Sequence, residues 1–364
     1  MKKLLIVLLA LTVMGMFAVA QDAPAITWNV SSYNGFATVS DSNADTSSVA
    51  LYNYNWEGAG AYRFQMAVNA ADGNSGFQMR LQTADQTAAT PAFNQIWAYG
   101  KFLDGMVKVE GGLLNDYSIA TGGWECYGNT DGALGLQVDV APIDGLALGF
   151  FLPLKGIATN ANYNAIGNAQ IGAAYEMKDM FKLAGGYILS PTTNGSTFYA
   201  GLVLKAVPGL SANVEFKFAN LGDSKLGTTN IEEYASYSFG AVTVSAYAGE
   251  WMYASASSKL YYNFEPQVAY KVSDAASVAL VANVYTFNDA GVMSFVSPVD
   301  GIGALQNKTI GGDPTMAFGA GPNVQLKAGG AKVTIGDYYG ILPSVGALKA
   351  TNINVFYASF DYAL

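Results

Sequence analysis

Histidine is absent from the 364 residues, and cysteine occurs once, at Cys126. Without an imidazole no Ser-His-acid triad can form, which removes the esterase, phospholipase and histidine-dependent protease barrels. No His/Cys cluster is available for a transition metal. A lone thiol closes no disulfide within the chain, so a fold in an oxidising compartment must be held by something else. Gly58-Ala59-Gly60 is too short for a phosphate cradle, and no other cofactor motif is present. Adjacent acids such as Glu232-Glu233 point to opposite faces of a strand and make a poor general acid and base pair. The expectation is a non-enzyme without cofactor or metal.

Charge is scarce as well. Only 12% of residues are charged, against about 25% in an ordinary soluble domain. Arginine occurs twice, at Arg63 and Arg80, and the formal net charge is −9. An acidic chain argues against nucleic acid as a partner. Beyond the first twenty residues no window holds 18 consecutive apolar residues, so no transmembrane helix is expected.

What is present begins with a leader. Met1-Lys2-Lys3 is positive, residues 4–19 are almost wholly apolar, and Ala18-Val19-Ala20 offers small residues to a signal peptidase. The pattern predicts a cleaved secretory signal over 1–20, with 21–364 as one mature domain. Loss of Lys2 and Lys3 takes the net charge from −9 to −11. An exported chain with 51% hydrophobic residues, 41 glycines and no helical span needs another way to cover its apolar surface. A closed β-barrel satisfies every backbone hydrogen bond internally and is the other structure that spans a membrane.

Alternation carries the same conclusion. Tyr62, Phe64, Met66 and Val68 alternate with Arg63, Gln65, Ala67 and Asn69. Beyond Asp72-Gly73-Asn74, Phe77, Met79 and Leu81 alternate with Gln78, Arg80 and Gln82, the pattern of a hairpin with one lipid face and one lumen face. The pattern recurs over 212–218, 262–272 and 318–326. An exported soluble sandwich would alternate too, but its polar face would be rich in charge, and here Gln, Asn, Ser and Gly dominate. Eight short turns, near Gly73, Asp104, Asp144, Asp179, Pro208, Gly240, Asp274 and Gly329, alternate with longer polar stretches. Short turns lie at the periplasm and long loops outside, so eight turns with both termini periplasmic imply 18 antiparallel strands. Sixteen is the alternative, because 47–55 reads either as a loop hairpin or as a strand.

The segment QIWAYGKFLDGMVKVEGGLL at 95–114, the long loop 115–131 behind it, the string PIDGLALGFFLPL at 142–154 and the alternating end Phe360, Tyr362, Leu364 together resemble the outer-membrane porins, including the porin-like barrels of spirochaetes. The resemblance implies an outer-membrane location and a passive diffusion channel for small hydrophilic solutes and ions. It also implies insertion by the barrel-assembly machinery through the C-terminal strand, contact with outer-membrane lipid, and a homotrimer. A non-conducting surface barrel acting as adhesin or structural protein is the competing function. A gated transporter is the third, and it would need an N-terminal plug that this chain has no room for.

The candidate constriction is drawn from the lumen side of the alternation. Arg63 and Arg80, on neighbouring strands, form a basic wall with Lys101 and Lys108, and Glu110 lies beside them. Counted from Gly73, Arg63 should stand about four residues, on the order of 13 Å, further from the periplasm than Arg80. Loop 115–131, folded into the lumen as the porin resemblance implies, would face this wall with Asp116, Glu125 and Asp131.

Overall fold

The computed structural model describes residues 24–41, 46–52, 62–83, 90–114, 133–154, 165–189, 196–221, 227–253, 260–287, 315–342 and 351–363. The leader 1–20 and loop 115–131 lie outside the described residues, as does Cys126.

The chain opens with β1 (Ala25–Asp41), then the short β2 (Thr46–Tyr52). Eight hairpins follow. They are β3 (Tyr62–Asn69) with β4 (Ser75–Gln82), β5 (Ala92–Phe102) with β6 (Val107–Leu114), and β7 (Ala133–Ile143) with β8 (Leu146–Pro153). Next come β9 (Gln170–Met177) with β10 (Phe181–Ile188), β11 (Ser196–Leu204) with β12 (Leu210–Leu221), and β13 (Thr228–Phe239) with β14 (Val242–Tyr253). Then come β15 (Leu260–Ser273) with β16 (Ala276–Phe287), and β17 (Thr315–Ala328) with β18 (Ala331–Leu342). The last strand, β19 (Thr351–Ala363), pairs back onto β1. Every pairing is antiparallel and each strand follows its sequence neighbour, so the sheet closes on itself.

The ring holds eighteen strand positions, because β2 takes none of its own. On the edge of β1 opposite β19, residues 25–32 pair with β3 and residues 35–41 pair with β2. The stretch whose role the sequence left open is therefore a hairpin strand sharing one place with β3, and the sixteen-strand alternative falls. All eight expected turns join the hairpins. Between Phe239 and Val242 the loop is only two residues, and Gly240 takes φ +61°, a left-handed conformation that glycine adopts without steric cost and that suits the twist of a hairpin.

Alternation decides which face each residue takes. Outward positions hold exposed Phe64, Val268, Phe318 and Phe360, while inward positions on the same strands hold buried Glu265, Ser359 and Asp361. A slip of one residue in any strand would carry its polar set into the apolar outer wall, so register is tightly specified. Phe102, Tyr175, Phe239 and Tyr270 stand exposed on the outer face beside the short turns.

Inside, large aromatic rings lie against glycines of the adjoining strand. A Cβ built on Gly76, Gly135, Gly186, Gly319 or Gly336 would run into the ring of Tyr99, Phe151, Tyr199, Tyr338 or Tyr357, respectively. The rings cover backbone that glycine leaves bare, and glycine supplies the room that lets them lie flat. Five pairs spread round the wall account for some of the 41 glycines.

Candidate functional site

The inner wall is lined by amide, hydroxyl and charged side chains. Arg63 and Arg80 are both on it, as the alternation predicts. Their offset differs from the expectation. Gln65 pairs with Arg80, and Arg63 with Gln82, so Arg63 stands two residues beyond Arg80, about 7 Å. The hairpin is centred between Asp72 and Gly73, because Asn69 pairs with Gly76; counting from Gly73 overstated the separation. Both guanidiniums are held by amides. Arg63 Nε donates to Gln82 Oε1 at 3.1 Å, and Arg80 Nε to Asn94 Oδ1 at 2.9 Å. Fixed in this way, they present a stationary positive charge to the lumen.

Lys101, Lys108 and Glu110 form a second group nearer the short-turn end of the barrel. Lys101 pairs with Lys108 across β5 and β6, one residue from each strand's turn end. The Lys108 ammonium makes an ion pair with Glu110 and lies 5.7 Å from the Trp97 ring centroid and 5.5 Å from that of Tyr99. Lys101 sits 5.8 Å from the same Tyr99 ring. The Tyr99 hydroxyl donates to Asn69 Oδ1 at 2.9 Å. These cations are engaged by aromatic faces and a carboxylate. They belong to the short-turn end of the barrel and do not extend the arginine pair. Asp116, Glu125 and Asp131 lie outside the described residues.

The acids that face the arginines within the described wall lie on β12 and β13. Glu215 and Glu232 are directly paired across those strands and are 1% and 2% exposed. Asn230 Nδ2 donates to Glu232 Oε1 at 3.2 Å. Counted round the ring, β12 is nine places from β3, and β13 is nine places from β4, half the circumference. Depth matches too. Arg80 is five residues and Arg63 six from the turn end of their strands, and Glu215 is five and Glu232 seven from theirs. Two fixed cations thus stand opposite two carboxylates at mid-height. Sequence alone places each of these four residues on the lumen side; their opposition depends on closing the ring and counting around it.

Further charges lie at the short-turn end. Lys205 pairs with Glu176 at 2.5 Å, and Lys332 with Asp361 at 3.3 Å. Lys271 pairs with Asp274 at 2.5 Å, and the lysine's hydrogen bond and charge hold the Asp274 carboxyl in its turn below the usual carboxylate range. Among the described residues no group of three or more His, Cys, Asp or Glu is placed to hold a metal ion.

No protein-family model matches the chain, and no curated protein matches it in sequence. Solved structures do match it in fold. OprD of Pseudomonas aeruginosa superposes with a TM-score of 0.56 at 13% identity, covering 95% of this chain and 97% of that one. The chain has the porin fold. OpdQ of the same organism gives 0.56 at 9% identity, over 94% and 98% of the two chains, and OccK11 gives 0.54 at 8%, over 93% and 96%. At these identities the porin fold is what the structures share; no lumen residue is carried over from them.

Proposed function

We propose that this porin-fold chain spans the outer membrane after removal of its leader and acts as a passive diffusion channel for small hydrophilic solutes and ions. The observation that carries this reading is the inner wall. An eighteen-strand barrel is wide enough to leave an aqueous lumen. The wall carries amide, hydroxyl or charged side chains on most of the described strands and opposed fixed charges at mid-height. Charges set across a lumen act on whatever passes between them, a role that a purely structural barrel does not require.

The constriction is assigned to Arg63 and Arg80 facing Glu215 and Glu232, with Lys101, Lys108 and Glu110 at the periplasmic side. Loop 115–131, with Asp116, Glu125 and Asp131, would narrow the lumen further if it folds inward. A field across a water-filled neck with low-dielectric walls sorts solutes by charge and dipole. The two signs nearly cancel at the neck, so the acidic outer loops decide the balance, and weak cation preference follows. Swelling of liposomes that contain the purified protein tests the reading. Small neutral sugars should enter rapidly, with rates falling as solute size grows. Liposomes holding folded protein that swell no faster than empty ones would reject a channel and favour an adhesin or structural barrel.

A further inference from the structure

A cavity of about 210 Å³ opens on the inner wall at the short-turn end, across β14 to β17. Hydrogen-bond donors surround it. They are the ammoniums of Lys271 and Lys327, the hydroxyls of Thr243, Ser273 and Ser277, and the amide of Gln325. Ala269, paired with Thr243, adds little bulk and leaves the space open. One carboxylate reaches the lining, Asp274 in the turn, so two cations stand against one anion. Lys327 is one residue from Ala328 at the turn end of β17, and Lys271 is two from Ser273 at that of β15. Arg63 and Arg80 stand at mid-height, so the two sites are separate.

The positive charge is not balanced within the wall. Lys332, directly across from Lys327, is paired with Asp361. The Lys327 ammonium makes no ion pair among the described residues. Like charges set opposite each other on a sheet repel, and an anion beside Lys327 relieves that. Lys271 is paired with Asp274, but both side chains are in water and such a pair is weak, so the ammonium is available to an incoming anion. The row through the cavity is polar across five strands, with Lys271, Ser277, Gln325, Thr334 and Ser359 paired in turn. Thr334 is 0% exposed and Ser359 3%, and neither hydroxyl has a hydrogen-bond partner among the described residues. Buried hydroxyls are normally satisfied. Thr334 lies about 5 Å from Gln325 across the strands, so an acceptor held over this row can take its hydrogen bond. The donors also select the kind of anion. A planar carboxylate is matched by the fork of an arginine, which this cavity lacks, whereas an ammonium is a point charge that suits phosphate. Donors arriving from four strands match an anion with oxygens on all sides.

We propose that this cavity binds a phosphoryl group, as free phosphate or a small phosphate ester, held between Lys271 and Lys327 with hydrogen bonds from Thr243, Ser277 and Gln325. The site goes beyond passage through the lumen. It rests on the barrel fold and not on conduction, so the test reads binding on the folded full chain in detergent. Calorimetric titration with inorganic phosphate at low ionic strength should give one saturable site per chain. Lys271→Gln with Lys327→Gln should weaken binding roughly tenfold or more, as expected for lost charge-assisted contacts. Ser277→Ala, which removes one donor and no charge, should weaken it about three- to tenfold. Arg63→Ser with Arg80→Ser should leave it unchanged. A urea midpoint equal to that of wild type in the lysine and serine variants shows that the losses belong to the ligand and not to the fold. Displacement of bound phosphate by glycerol 3-phosphate makes a phosphate ester an occupant, and displacement by phosphate alone limits the site to the free ion. Acetate that competes as well as phosphate would overturn the proposal. So would the absence of a saturable site, binding that survives in the folded lysine and serine variants, or binding that is lost with the arginines.

Discussion

Arg63 and Arg80 are the two arginines of the chain, and each is clamped by an amide on a neighbouring strand. Their inward orientation is legible in the sequence, because Phe64 and Met79 beside them must take the lipid face. What they face is not legible. Glu215 and Glu232 come more than 130 residues later, and only closure of the ring brings β12 and β13 opposite β3 and β4. The acidic loop 115–131, adjacent in sequence, draws attention in their place. The two pairs make opposite contributions. A charge in a wide aqueous lumen is worth at most ~1 kcal/mol to a passing ion, so effects of a few-fold are expected. Arg63→Ser with Arg80→Ser should enlarge the conductance and raise the cation-to-anion permeability ratio roughly two- to threefold. Glu215→Gln with Glu232→Gln should lower that ratio by a similar factor. Reversal potentials across a salt gradient measure both, and both effects should fade near 1 M salt, where the Debye length is about 3 Å. Reversal potentials unchanged in the two double variants would remove all four residues from the narrow part of the pore.

At the scale of elements, the period of two and the turn residues expose the strands, and local irregularities stay hidden. Strict alternation would put Phe93 on the same face as Gln95. A register shift at Asn94 instead pairs Phe93 with outward Leu81 and Gln95 with Arg80. A bulge of this kind leaves no mark in the hydrophobic pattern, since either reading keeps the residues alternating. The same holds for β2, whose sequence alternates as a spanning strand does and whose place is set by its pairing with β1. The glycine-aromatic pairs are equally silent in sequence because the partners are far apart, as Gly319 and Tyr338 are. Gly336→Val should force the Tyr357 ring away from its strand and cost about 1–3 kcal/mol of stability, the usual penalty of overpacking. The urea midpoint of the folded barrel in detergent measures it; an unchanged midpoint would mean the ring is free to move. The depth of the outward aromatic residues beside the short turns can be checked separately. Single Trp replacements at Phe102, Tyr175, Phe239 and Tyr270 should be quenched at one common depth, because rings of this kind settle at the membrane interface. Scattered depths would contradict the register.

For the whole molecule, few charges, a lone cysteine and strong alternation are enough to read a closed barrel, and eight turns are enough to count its strands. Both follow from one constraint. In hydrocarbon every backbone group must find a partner within the protein, so composition, period and turn spacing all answer to it. Solute preference answers to nothing so regular, which is why the sequence leaves it open and why porin-fold proteins at 8–13% identity share the scaffold alone. The central claim is that this scaffold conducts. The most direct measurement is the current through the purified, folded protein in a planar bilayer. Discrete unitary steps with a linear current–voltage relation are expected, growing with bulk salt concentration and smaller than those of the Arg63→Ser, Arg80→Ser variant. Folded protein that inserts, as shown by protease protection of the same bilayers, yet passes no unitary current at any salt concentration would contradict it.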